Sequence, residues 1–168
     1  MENHLNHLWS PWRMSYIQND SKDDDCIFCK ALTWADGVEN LVLYRGQSTY
    51  IILNRYPYTS GHLMIVPMQH TASLHELQPD TRSEIMELTT KSLSALFHAY
   101  RPQGYNLGMN LGEVAGAGIA EHIHMHIVPR WAGDTNFMST TADTRVLPEA
   151  LEITYQRLVD AWKIINLA

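Results

Sequence analysis

Basic residues are few in this 168-residue chain. Twelve lysines and arginines are outnumbered by 18 aspartates and glutamates, which gives a formal net charge of −6 at pH 7. Proteins that bind nucleic acid without sequence preference usually present a broad basic surface. The composition therefore disfavours nucleic acid as a partner, while it is compatible with an anionic small molecule bound at a local cluster of donors.

Cysteines and long apolar segments are also scarce. The two cysteines lie close together in sequence and cannot form the disulfide framework of a small secreted protein. No hydrophobic run reaches the roughly 18 residues that span a membrane. The first residues, 1–12, lack the apolar centre of a signal peptide. We therefore expect a cytoplasmic protein without a membrane partner.

The residues that are present suit a folded domain. Hydrophobic residues make up 45% of the chain and charged residues 18%, as in ordinary globular proteins, and the length suits one domain. Short apolar runs predict strands at residues 41–44, 50–53, 62–67 and 105–110. Apolar residues at helical spacing predict a helix that opens at Pro79, with a stripe from Leu77 to Phe97, and a second helix over residues 147–167. Short turns between the strands favour an antiparallel sheet, so the expected class is α+β.

Three histidines stand in strict alternation with apolar residues. His122, His124 and His126 are separated by Ile123 and Met125. On a strand the three imidazoles would share one face, whereas a helix would turn His124 away from the other two. The outer two would lie roughly 13 Å apart on a strand, which argues against one metal ion binding all three. The pattern predicts a strand whose imidazole face lines a site.

A row of imidazoles suits phosphoryl chemistry. The unperturbed pKa of histidine is near ~6.5, so the neutral and charged forms are both accessible near neutral pH. A neutral ring can attack phosphorus and split one difficult displacement into two easier ones. Neighbouring rings can donate protons or hydrogen bonds to phosphate oxygens. The alternatives are a surface strand with chance histidines and an adventitious metal site.

Cys26 and Cys29 form a CxxC pair. A redox motif of this kind normally lies between a strand and a helix, but a run of aspartates precedes it here. Half of a tetrahedral zinc site is the second interpretation, and zinc would then need two further ligands. The sequence offers His70, after a predicted strand, and His122. Two reduced cysteines in a small core are the third interpretation.

Small and polar residues mark further candidate contacts. Gly116 and Gly118 lie in a glycine-rich loop before the histidines, where the backbone can approach a ligand and its amides can bind phosphate. A dinucleotide-binding fingerprint would need a helix after this loop, and a strand is predicted instead. Asn54 and His62 lie at strand ends, where sites are often built. A plain hairpin, a turn cap and an exposed strand start are the respective alternatives.

Residues 122–128, His-Ile-His-Met-His-Ile-Val, resemble the signature of the histidine triad superfamily. Its members include nucleoside phosphoramidases, dinucleoside polyphosphate hydrolases, diadenosine tetraphosphate phosphorylases and, more distantly, galactose-1-phosphate uridylyltransferase. The resemblance extends over about residues 9–138. It includes the leader at residues 8–13, residues 54–57 with Gly61 and His62, and residues 129–138, which resemble the phosphorylase-type branch.

The resemblance implies an antiparallel sheet with packed helices and a homodimer. It also divides the single domain, 1–168, into an N-terminal arm at 1–25, a catalytic core at 26–131 and an extension with a C-terminal helix at 132–168. It assigns His124 as the nucleophile and His126 and His62 to charge stabilisation. It implies zinc held by four residues: Cys26, Cys29, His70 and His122. Substrate contacts are expected from Asn54, which matches the ribose contact, and from Asn110, Gly116, Gly118, His126 and Arg130, although Arg130 could instead form a surface salt bridge.

The implied reaction is nucleotidyl transfer from dinucleoside polyphosphates. His124 would attack the α-phosphorus of diadenosine tetraphosphate and release ATP. Inorganic phosphate would then give ADP, as in a phosphorylase, whereas water would give AMP, as in a hydrolase. Gly118 stands where the fragile-histidine-triad hydrolases carry glutamine, which favours phosphorolysis. A nucleoside phosphoramidase and a non-catalytic nucleotide-binding module are the alternatives.

Overall fold

The computed structural model describes residues 26–134 and 149–167. Five strands form one sheet in the order β1-β2-β3-β5-β4, and every neighbouring pair is antiparallel. The strands are β1 (Val42–Arg45), β2 (Thr49–Leu53), β3 (Leu63–Pro67), β4 (Gly104–Gly108) and β5 (Met125–Arg130). The α-helices of the described residues are α1 (Ile27–Ala31), α2 (Pro79–Tyr100) and α3 (Leu151–Leu167). Short 3-10 turns lie at Leu74–Glu76 and Glu113–Ala115.

The centre of the sheet is the most apolar part of the chain. All residues of β2 and β3 are buried, because these runs carry apolar side chains on both faces. Helix α2 packs across β2, β3 and β5, and α3 packs on α2 and β1. The predicted antiparallel sheet with packed helices is confirmed. No helix within 26–134 or 149–167 has the length and apolar character that crossing a membrane would require.

Helix α2 begins and ends where its sequence indicates. Pro79 occupies the first turn, and Arg101 ends the helix in the left-handed conformation with φ of 46°. Leu88 and Leu96 face the core, but Phe97 is 60% exposed. The prediction that Phe97 belongs to the buried stripe was wrong, because position 97 follows Leu96 by one residue and turns about 100° away from it.

The predicted strand through all three histidines is also corrected. Strand β5 begins at Met125, so only His126 lies on it. The backbone amide of Ile123 donates to the Thr71 carbonyl at 2.7 Å, outside the sheet ladder. The segment before β5 is therefore irregular, with His122 in the Cys/His cluster and His124 in the lining of the cavity. The predicted arm at 1–25, the start of the C-terminal helix at Leu147 and residues 135–138 of the post-histidine segment lie outside the described residues.

Candidate functional site

A cavity of about 330 Å³ opens on the face of the sheet near the histidines. Helix α1, the segment 32–40, strand β2, the loop 54–58 and the glycine loop all contribute to its wall. His124 and His126 both line it, and their ring centroids lie 4.7 Å apart. The cavity thus brings two of the three alternating histidines together, while His122 lies outside its lining.

His124 presents an unprotonated nitrogen. Its Nδ1 lies 2.8 Å from the backbone carbonyl oxygen of His122. Because a carbonyl only accepts, Nδ1 carries the proton and Nε2 keeps its lone pair. The ring is 4% exposed, and this burial lowers the pKa of His124 despite the opposing effect of the carbonyl. A neutral imidazole with a basic Nε2 is the form that can attack phosphorus.

His126 is held in the opposite tautomer by a chain of hydrogen bonds. The backbone amide of Tyr58 donates to His62 Nδ1 at 3.1 Å, and the Asn54 amide nitrogen lies 3.3 Å from the same atom. The proton of a neutral His62 is therefore on Nε2, which lies 2.9 Å from His126 Nδ1. A neutral His126 accepts there and carries its own proton on Nε2. One ring of the cavity can attack, and its neighbour can donate.

His62 supports the site from behind the cavity wall. It is fully buried, and its ring stacks on Tyr58 with centroids 4.9 Å apart. It does not line the cavity, so its contact with a phosphate passes through His126. Asn54 lines the cavity, but its amide group is engaged by His62 and by the Tyr56 backbone amide at 2.9 Å. On this geometry Asn54 orients His62, in addition to the ribose contact that the family resemblance implies.

The four expected zinc ligands form one cluster. The ligand atoms of Cys26, Cys29, His70 and His122 all lie within 4.8 Å of one another. Cys26 Sγ is 3.2 Å and Cys29 Sγ 3.7 Å from His122 Nδ1, and Cys29 Sγ is 3.4 Å from His70 Nδ1. Zinc at ~2.3 Å from sulfur and ~2.0 Å from nitrogen places its ligands roughly 3.3–3.8 Å apart. The cysteines form no disulfide, so the donor set suits a tetrahedral zinc ion, and these three distances are close to the spacing that zinc requires.

His122 connects this cluster to His124. Its Nε2–H donates to the Pro67 carbonyl at 2.8 Å, which leaves Nδ1 for the cluster. Burial lowers the pKa of the ring, and its own carbonyl fixes His124. Phe28, inside the CxxC pair, packs against both rings at 5.4 and 4.9 Å between centroids. The cluster and the cavity thus share a wall.

The glycine loop borders the cavity opposite α1. Gly112 and Gly116 have φ of 83° and 87°, a conformation that favours glycine. The Asn110 amide donates to the Gly116 carbonyl at 3.2 Å and closes the loop. Asn110, Gly116 and Gly118 line the cavity, and their contacts with substrate stay predictions. Asn110 also has a structural role that the sequence did not indicate.

Arg130 does not lie in the site. Its Nε and Nη2 donate to Asp134 at 2.5 and 2.9 Å, and its Nη1 donates to Asn106 at 2.7 Å. It does not line the cavity. The substrate contact of Arg130 stays a prediction, while the alternative, a surface salt bridge, is present in the fold.

Sequence reasoning missed several cavity residues. Phe28 and Trp34 supply aromatic surface, and Lys30 supplies positive charge. Arg55 and Tyr56 also line the cavity, and they lie within residues 54–57 of the family resemblance. The spacing of Phe28 within the CxxC pair could have indicated its place, since the cysteines fix it beside His122. Tyr58 acts through its backbone amide, which leaves no trace in the sequence.

Comparison with known proteins identifies the family of this chain. The HIT domain family matches residues 37–133. The AP-4-A phosphorylase of Mycobacterium tuberculosis is 38% identical over 94% of this chain and 85% of its own length. An adenosine 5'-monophosphoramidase of Schizosaccharomyces pombe is 30% identical over 62% of this chain and 74% of its own. These relatives are named as enzymes, so the expectation of an enzyme is confirmed.

A solved structure has the same fold as this chain. A zinc-bound histidine triad family protein from Mycobacterium smegmatis superposes with a TM-score of 0.69 at 26% identity, over 86% of this chain and 97% of its own. The family match covers more than half of the chain, and the triad lies within it. This chain therefore belongs to the HIT domain family, whose histidine triad signature residues 122–128 carry.

Proposed function

We propose that the protein transfers a nucleotidyl group from diadenosine tetraphosphate to inorganic phosphate, with ADP and ATP as products. The observation that carries this proposal is the pair of cavity imidazoles in opposite tautomers, an unprotonated His124 Nε2 and a protonated His126 Nε2. The 38% identical relative named AP-4-A phosphorylase supports the choice of substrate.

The first step would form a bond between His124 Nε2 and the α-phosphorus. The bridging P–O bond would break, and ATP would leave with its electron pair. His126 Nε2–H would hydrogen-bond to a phosphate oxygen on which charge increases. Backbone amides of the glycine loop, such as that at Gly118, would bind other phosphate oxygens. Because the His126 N–H and the loop amides are already in position, they lower the activation barrier without rearrangement during the reaction.

The second step would release His124. An oxygen of inorganic phosphate would attack the same phosphorus from the vacated side, the P–N bond would break, and ADP would leave. Water in that position would give AMP instead. Gly118, which has no side chain, supports phosphate as acceptor because it leaves room beside His124 for a group larger than water.

We also propose zinc at Cys26, Cys29, His70 and His122. The ion would supply a structural cross-link between α1, the residues after β3 and the segment before His124. Thiolate ligands persist in a reducing compartment, so this assignment agrees with the proposed cytoplasmic location. The division into an arm at 1–25, a catalytic core at 26–131 and an extension at 132–168 is part of the same proposal.

A homodimer is proposed through the open edge of the sheet. Within the described residues β4 pairs on one side only, with β5. Leu107 on this strand is 46% exposed, and Leu111 and Val114 beyond it are 50% and fully exposed. A second copy could cover these apolar residues and pair with the edge. Leu107→Glu should shift the molar mass measured by light scattering from dimer to monomer, and a monomeric wild type would contradict this proposal.

Product analysis tests the reaction. Wild-type protein is incubated with diadenosine tetraphosphate with and without inorganic phosphate, and nucleotides are separated by chromatography. Phosphate-dependent formation of ADP and ATP supports the proposal, whereas AMP and ATP regardless of phosphate would mean a hydrolase. His98→Ala, an exposed histidine on α2 away from the cavity, is the matched control for His124→Ala.

A phosphoramidase is the second candidate. The same nucleophile could attack a phosphoramidate and break a P–N bond of the substrate. The 30% identical relative named adenosine 5'-monophosphoramidase favours this candidate. A higher kcat/KM for an adenosine phosphoramidate than for the dinucleotide would select it.

A further inference from the structure

Trp34 stands at the mouth of the cavity. It lies on the segment 32–40, which joins α1 to β1, and its side chain lines the cavity while remaining 50% exposed. A half-exposed indole leaves a broad apolar face in water, and a ligand that covers this face gains stabilisation. Nothing in the triad pattern assigns a role to this residue.

The backbone that carries Trp34 is held in place by Arg45. The guanidinium donates from Nε to Asp36 at 2.8 Å, from Nη1 to the Leu32 carbonyl at 2.9 Å and from Nη2 to the Trp34 carbonyl at 2.9 Å. Arg45 is the last residue of β1. A side chain anchored in the sheet therefore fixes the turn on both sides of the indole.

The far end of the segment is fixed as well. Asn40 is buried, donates to the Ala31 carbonyl at 2.9 Å and accepts from the Gly37 amide at 3.0 Å. Arg55 donates to the Glu39 carbonyl at 2.8 Å. Side chains from three places in the chain thus hold an irregular segment that exposes one large aromatic residue to the cavity. Preorganisation of this kind lowers the entropy cost of binding.

Trp34 and His124 line the same cavity. Phe28 on α1 packs against His124 with ring centroids 4.9 Å apart. Ala31, at the end of α1, and Trp34, three residues later in sequence, also line the cavity. A nucleotide whose phosphate lies at His124 would extend its sugar and base along this wall.

We propose that Trp34, positioned by Arg45, stacks on the base of the bound nucleotide and makes the protein prefer purine to pyrimidine nucleotides. The inference rests on the proposed function, since it takes the cavity to bind a nucleotide with its phosphate at His124. Removal of a stacking aromatic ring weakens binding of a base by roughly tenfold to hundredfold. The bicyclic purine covers more of an indole than a pyrimidine does. Removal of the indole should therefore weaken the binding of a purine nucleotide more than that of a pyrimidine nucleotide.

Calorimetric titration with AMP and with UMP tests the base contact. Trp34→Leu should weaken AMP binding at least about tenfold and UMP binding much less. Phe97→Leu, which removes an exposed aromatic ring outside the cavity, should leave both affinities unchanged. Unchanged AMP binding in Trp34→Leu, or an equal loss for AMP and UMP, would overturn the proposal.

A double-mutant cycle tests the role of Arg45. Arg45→Met should weaken AMP binding in the wild-type background and have no further effect in Trp34→Leu, because the two residues act as a unit. Arg157→Met, on α3, controls for loss of a surface guanidinium, and melting temperatures verify folding. Additive losses would contradict a positioning role for Arg45.

Turnover separates this inference from the proposed function. In steady-state kinetics on diadenosine tetraphosphate, Trp34→Leu should raise KM and leave kcat near the wild-type value. A wild type that lacks turnover but shows a Trp34-dependent preference for AMP would refute the proposed reaction and keep the base contact. A wild type that turns over the dinucleotide with the same KM as Trp34→Leu would keep the reaction and refute the base contact.

Discussion

His62 Nε2 lies 2.9 Å from His126 Nδ1, and this one contact fixes which nitrogen of His126 carries a proton in the cavity. The direction of the bond comes from the Tyr58 backbone amide, which can only donate and so leaves His62 Nδ1 unprotonated. The Tyr58 main-chain amide, acting through two successive hydrogen bonds, therefore determines which nitrogen of His126 is protonated. The arrangement parallels the orientation of metal-ligating histidines by their outer partners.

His62→Phe should reduce kcat on diadenosine tetraphosphate by about tenfold to a hundredfold. The substitution removes the donor to His126 Nδ1, so His126 can rotate or adopt the other tautomer. KM should change less, because His62 does not line the cavity. Steady-state kinetics measure both values, and an unaltered kcat in a folded variant would contradict the tautomer chain.

Cys26→Ser should lose zinc and substrate affinity together. The cluster holds α1, which carries Ile27 and Phe28 into the cavity wall, so KM should rise. Elemental analysis of the purified variant measures the metal independently of activity. His75→Ala, an exposed histidine near the cluster in sequence, is the control. Full zinc content in Cys26→Ser would rule out the ligand assignment.

Glu84→Gln should destabilise the fold at neutral pH by about 1–2 kcal/mol. Burial of the carboxylate would raise its pKa, but hydrogen bonds from the Ser48 hydroxyl and from the Gln47 and Ser48 amides outweigh burial and lower the pKa below its ordinary 4.5. A lowered folded-state pKa contributes stability that is present above the unfolded value and lost as pH falls through the folded value.

The measurement for Glu84 is urea unfolding as a function of pH. The difference in free energy of unfolding between wild type and Glu84→Gln should be largest near neutral pH. It should shrink as pH falls below about 4.5. A difference that does not depend on pH would show that the carboxylate charge makes no contribution.

Gly61→Ala should destabilise the fold by about 2 kcal/mol or more. Gly61 has φ of 78°, and a Cβ there would lie 2.9 Å from Leu96 Cδ2. Gly104→Ala is the matched control, because a Cβ at that position meets nothing within 4 Å. Chemical denaturation measures both, and an equal effect of the two substitutions would refute the steric argument.

The sheet followed from local patterns. Residues 62–67 form an apolar run between turn residues, and the strand predicted there is β3 with its first residue omitted. Helix α2 was predictable because Pro79 sets its start and Leu88 and Leu96 share one face. The four-residue metal cluster was predicted from the CxxC pair together with the family resemblance. The CxxC spacing by itself does not indicate that His70 lies beside Cys29.

The rest depended on tertiary contacts. Alternation predicted a strand at His122, but its Nδ1 lies 3.2 Å from Cys26 Sγ in the four-residue cluster, and β5 starts only at Met125. Arg130 pairs with Asp134 because a turn at the end of β5 brings the two together. Trp34 reaches the cavity through hydrogen bonds from Arg45 on β1, a contact between residues with no common motif.

The most direct test of the central claim is to trap the covalent intermediate. The protein is mixed with diadenosine tetraphosphate in the absence of phosphate, quenched rapidly, digested and sequenced by tandem mass spectrometry. We predict one adenylyl group attached to His124 in the wild type and none in His124→Ala, with His98→Ala labelled as the wild type. An adenylyl group on His126, or turnover of the dinucleotide by His124→Ala, would contradict the assignment of the nucleophile.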